Sequence, residues 1–130
     1  MNNPFTFYSS FLYSYPTLFC MLRRPILFSL FIPLSILSVI SPLNHNRPYC
    51  QDPHYDFIDI IDRFILYWVI SMFIYHFYDN FMLWFAIIYT AFSYFCIIPS
   101  ISNIRQKCLF HSSFHIVTSI VMIHLINYLQ

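Results

Sequence analysis

The chain contains no glycine and no glutamate, and only 8% of its 130 residues are charged. Without glycine it has no Gly-rich loop to cradle a phosphate, no nucleophile elbow and no GxxxG helix contact, which sets nucleotide-binding enzymes aside. The few charges are also scattered. A formal net charge of +1, with no run of Lys or Arg, gives no electrostatic footprint for nucleic acid. Alanine occurs twice, at Ala86 and Ala91, and valine four times. The depleted residues share codons that begin with G. The bias therefore points to a G-poor, T-rich coding strand, as in AT-rich viral or parasite genomes, or to a frame translated without selection. T-rich DNA read by accident would also encode an apolar chain, so that alternative stays open.

What the chain has in quantity is apolar: 59% hydrophobic residues, 22% of the whole aromatic. Its polar residues are too few to coat a soluble globule, and the composition predicts an integral membrane protein. Apolar runs separated by polar connections predict an all-α, multi-pass bundle with four transmembrane helices, at about 25–43, 57–78, 81–99 and 109–130. Pro25 stands where a helix accepts proline, Pro33 predicts a kink, and Asp79-Asn80 marks a tight turn. The third span carries little but apolar residues and is expected only to pack.

Residues 1–24 form a separate, aromatic N-terminal segment. Its apolar part, 5–19, is short for a span, is rich in Tyr8, Tyr13 and Tyr15, and is interrupted by Pro16 before Arg23-Arg24. This pattern predicts an interfacial, re-entrant or short membrane segment, and a fifth span if it crosses. It lacks the positive start and small-residue cleavage site of a signal peptide, so it is expected to be retained.

Four consecutive spans bring the end of the first, the start of the second and the start of the fourth to one membrane face. Those places hold Ser41 and His45, Asp59 and Asp62, and His111 and His115. Polar groups at membrane depth are costly, so they usually face the bundle interior and pair or bind something there. His111 and His115, four apart, share one helix face and can share a metal ion. With His45 they would supply three nitrogen ligands for a zinc, leaving a fourth position for water, as in hydrolytic sites. Asp62 would then accept and donate the proton or orient a ligand, and Ser41 would hydrogen-bond the metal water or the substrate oxyanion.

The same residues have plainer readings. Asp59 and Asp62 can pair with Arg63 or Arg47 in the headgroup region, with no metal involved. Cys50 and Cys108, in polar connections, can form a disulfide on a lumenal face or stay thiols on a cytosolic one. Together with His54 they also offer a mixed Cys/His structural zinc site. Cys96 is expected to pack in its apolar run, His76 and His124 to lie at the opposite interface, and Trp68 and Trp84 to belong to the aromatic belt.

The run Ser41-Pro42-Leu43-Asn44-His45, then Ile60-Ile61-Asp62-Arg63, then His111-Ser112-Ser113-Phe114-His115 resembles the sparse signature of the CREST superfamily. These are membrane hydrolases that include the alkaline ceramidases, the progestin and adipoQ receptors and the Per1-type proteins. The resemblance implies a zinc held by His45, His111 and His115, with Ser41 and Asp62 beside it, hydrolysing a lipid amide. That family usually has seven helices where this chain offers four, and self-association would help to close a cavity. Pro42 also departs from the pattern, since a proline disfavours the helical conformation of the residue before it. Arg47, Arg63, Arg105 and Lys107 on the motif face, against Arg23 and Arg24 on the other, predict that the motif face is cytosolic. The competing expectation is a non-enzymatic, viral-type multi-pass protein whose histidines and aspartates only anchor helix ends.

Overall fold

The structure, a computed structural model, describes residues 4–23, 28–45 and 57–128. These residues are all-helical, with no strand among them. The N-terminal segment is helical throughout: α1 (Pro4–Ser10), a 3-10 turn (Phe11–Tyr13) and α2 (Ser14–Arg23). Pro4 opens α1, where a missing N–H costs nothing. Pro16 has no N–H to give to residue 12 and its ring crowds that carbonyl, which accounts for the tightened turn there. The hydroxyls of Ser10, Ser14 and Thr17 donate back to the carbonyls of Phe7, Phe11 and Tyr13, so each is satisfied within this segment.

Helix α3 (Phe28–His45) contains both Pro33 and Pro42. Pro42 disfavours the helical conformation at Ser41, yet both residues are helical and buried and the helix continues to His45. Packing outweighs the local preference, because Ser41 and Asn44 are covered on the side that faces α4 (Phe57–Phe77). After a turn at Tyr78-Asp79, the side chain of Asn80 accepts from the Met82 N–H at 2.9 Å and starts α5 (Phe81–Phe92). Asn80→Ala should therefore destabilise the start of α5 by about 1 kcal/mol, read as a lower midpoint in thermal unfolding.

Helix α5 passes into a π-helical turn (Ser93–Ile97) and a 3-10 turn (Ile98–Ser100). Pro99 withholds the N–H that would reach residue 95 and crowds its carbonyl, and the widened turn absorbs both effects. Helix α6 (Ile104–Tyr128) begins five residues before the expected Leu109. The missed signal is Asn103, whose side chain accepts from the Arg105 and Gln106 N–H groups and caps the helix.

The core runs along regular stripes: Leu30, Leu34 and Leu37 of α3, Val69, Phe73 and Phe77 of α4, and Val121, Met122, Leu125 and Ile126 of α6. These intervals put each set on one helix face. Helix α3 packs along α4, and α5 packs along α6. Between the pairs lies the N-terminal segment, since α1 and α2 each contact both α3 and α6. The segment anticipated as interfacial thus lies against the two helices that carry Ser41 and the histidine pair.

Two segments are long and apolar enough to cross a membrane: Phe81–Ser100, 20 residues at mean hydropathy 2.0, and Arg105–Tyr128, 24 residues at 1.6. Phe28–Asn44 is a shorter apolar helix. Only 17% of the span window in Phe81–Ser100 is covered by the rest of the protein, whereas the core helix of a soluble protein would be mostly covered. Phe81, Trp84, Phe85, Ile88 and Phe92 all face outward. Cys96, expected to pack, is exposed on this same stretch.

Candidate functional site

A cavity of about 450 Å³ is walled by residues of α3, α4, α5 and α6, with Tyr13 reaching it from the N-terminal segment. Ser41, Asp59, Asp62, His111 and His115 all line it. Residues that the sequence places 70 positions apart or more thus meet on one internal surface. His45 is the last residue of α3, and its side chain lies outside the described residues, as do Arg47, Cys50 and His54. Cys108 is buried on α6.

The histidine pair sits in the second and third turns of α6, deeper than a helix opening at Leu109 would put it. The two rings are 5.0 Å apart between centroids and tilted by 53°. His115 is 3% exposed. Its Nδ1 lies 2.7 Å from the Ser9 hydroxyl, and the Tyr13 ring meets it edge-on at 5.3 Å. The Tyr13 hydroxyl reaches Thr118, one turn along, at 3.4 Å. His111 packs against the rings of Tyr94 and Phe114. The Ser9 contact holds the His115 ring through Nδ1. The hydrogen bond on the far nitrogen is what usually fixes ring orientation in metal-binding histidines.

On the opposite wall, Asn44 joins α3 to α4. Its Nδ2 donates to Asp62 Oδ2 at 2.8 Å and to Asp59 Oδ1 at 3.2 Å. Asp59 also pairs with Arg63 at 3.2 Å across one helical turn. The ion pair with Arg63 anticipated for Asp59 is present, and one carboxylate oxygen of Asp62 accepts from Asn44. Ser41, one turn before Asn44 on α3, is 2% exposed.

Among the described residues, no group of three or more His, Cys or Asp side chains is placed to hold a metal ion. Two of the three nitrogen ligands expected for zinc, His111 and His115, do stand together. His76 and His124 lie away from this site: the first is 2.7 Å from the Ser29 hydroxyl, and the second is exposed near the end of α6.

Ser9, Tyr13 and Asn44 were not anticipated as site residues. Asn44 carries a legible signal, because it lies one turn from Ser41 on the same helix face. Ser9 and Tyr13 are also four apart, but nothing in an aromatic, serine-rich stretch says which helix it will meet. Ser9→Ala should cost about 1 kcal/mol and leave the His115 imidazole without its Nδ1 partner, observable as a changed tautomer ratio in nitrogen-15 NMR of the labelled histidine. Comparison with protein-family models, with curated proteins and with solved structures returns no match.

Proposed function

We propose that this chain is a multi-pass integral membrane protein and a zinc-dependent hydrolase of lipid amides, with the arrangement seen in the CREST signature. In this reading α3, α4, α5 and α6 are the four spans, and the helical segment 4–23 inserts against α3 and α6. The observation that carries the proposal is the meeting of Ser41, Asp62, His111 and His115 on one cavity, reached from three different helices.

When bound, a zinc would lower the pKa of a water and polarise a carbonyl. His111 and His115 would hold it, with His45 at the end of α3 as the third ligand. Ser9 keeps the His115 ring in one orientation. Asp62, fixed by Asn44, accepts a proton from the attacking water and returns it to the departing amine. The Ser41 hydroxyl donates to the oxygen that gains charge as the carbonyl is attacked.

A second reading rests on the Asp59–Arg63 pair and on the buried His115–Ser9 contact. Both are complete as structural contacts, and a non-enzymatic bundle would use them in the same way. Purified protein in nanodiscs, given a panel of N-acyl lipids, separates the two. The hydrolase reading expects fatty-acid release that stops when a chelator removes metal and returns with added zinc. Absence of release from every lipid amide, with zinc supplied, would favour the structural bundle.

A further inference from the structure

The cavity is polar at one end and apolar at the other. Ser41, Asn44, Asp62 and His111 lie towards one end of the bundle, while Phe73, Leu83, Met122 and Leu125 line the cavity towards the other. It is also open sideways. Helices α4 and α5 follow one another through a tight turn yet touch only sparsely, unlike the closely packed pairs α3–α4 and α5–α6. Tyr67 of α4 and Phe95, in the π-helical turn that continues α5, both line the cavity and are 61% and 71% exposed, so the gap between these segments leads outward.

One polar atom in this wall stands out. Thr90 lines the cavity, and its hydroxyl is buried with no hydrogen-bond partner among the described residues. A helical threonine ordinarily donates to the carbonyl four residues back, as Thr118 does to Phe114. Thr90 does not, and a buried hydroxyl without a partner is costly unless something else supplies one. It sits one turn before Tyr94 of the π-helical turn, whose ring meets His111.

We infer that the cavity is a binding site for a single-chain amphiphile that enters sideways between α4 and α5, with Thr90 hydrogen-bonding its head group. The inference rests on the membrane placement proposed above and is independent of the hydrolytic chemistry. The volume sets the number of chains. At roughly 30 Å³ per methylene-sized group, the share of one water in the liquid, a cavity of about 450 Å³ holds about 15 groups, which is one chain and not two. The polar end requires a head that can hydrogen-bond, so a bare hydrocarbon is a poor occupant. Ala91, exposed at the mouth, and Ala86, buried deeper, leave α5 thin where the chain passes.

The test uses the full chain in phosphatidylcholine nanodiscs and radiolabelled 1-O-decylglycerol, which has one chain, a neutral hydroxyl head, no hydrolysable bond and about 16 non-hydrogen atoms, a size close to that of the cavity. Saturable binding is expected, displaced by the unlabelled probe but neither by 1,2-di-O-decylglycerol nor by decane. Thr90→Val removes the hydroxyl at nearly constant volume and should weaken binding by about three- to tenfold. Ala91→Trp, at an exposed position that tolerates bulk, should block uptake. No saturable binding, equal displacement by the two-chain ether, or unchanged affinity in Thr90→Val would each overturn the inference. Zinc content measured on the same preparations keeps the two proposals apart. Protein that holds zinc but not the probe contradicts only the amphiphile site, and protein that holds the probe without zinc contradicts only the hydrolase.

Discussion

Asp62→Asn is expected to lower lipid-amide hydrolysis by about 10²- to 10⁴-fold, the range over which a positioned acid–base group contributes. The substitution keeps the side chain's size, and its carbonyl oxygen can still accept from Asn44 Nδ2, which now lies 2.8 Å from Asp62 Oδ2. Folding should therefore be preserved while proton transfer is lost. Asp59→Asn is the control. Asp59 pairs with Arg63, whose side chain is 49% exposed, and a partly exposed pair of this kind is worth about 0–1 kcal/mol. Hydrolysis in Asp59→Asn should stay within about twofold of wild type. Equal losses in the two variants would mean that the acidic pair acts through structure, and Asp62 would lose its assigned role.

Asn44→Ala should give the largest loss of stability, about 2–3 kcal/mol, because two carboxylates lose a donor at once. Asn44 is 8% exposed and ties α3 to both Asp59 and Asp62 on α4. Ser29 and His76 make a further polar contact between these helices, 2.7 Å long and away from this site. Thermal unfolding in detergent, followed by the helical circular dichroism signal, reads the effect. A midpoint unchanged from wild type would mean that the Leu30, Leu34 and Leu37 stripe alone holds α3 in place.

The helices themselves were largely legible in the sequence. Long apolar runs between polar connections located α3, α4, α5 and α6, and Asp79-Asn80 located the turn that joins α4 and α5. Boundaries were missed where one side chain decides them. Asn103 caps α6 five residues ahead of the apolar run, and the helix carries on through Pro42 because tertiary burial outweighs the preference of the residue before a proline. The convergence of Ser41, Asp62, His111 and His115 on one cavity was legible from which end of each helix carries them. The partners of those residues did not follow. Ser9 and Tyr13 come from a segment whose composition fits an interface as well as a bundle interior. Thr90 sits in a run that reads as featureless packing, and its significance lies in a hydrogen bond it does not make.

The histidine pair is where the proposed zinc would sit. Metal content by mass spectrometry of purified wild type, His111→Ala and His115→Ala tests it most directly. The expected result is one zinc per chain in the wild type and none in either variant, with all three equally helical. A folded, helical wild type that holds no zinc, even after zinc is supplied, would contradict the hydrolase and leave a helical bundle whose histidines serve its packing.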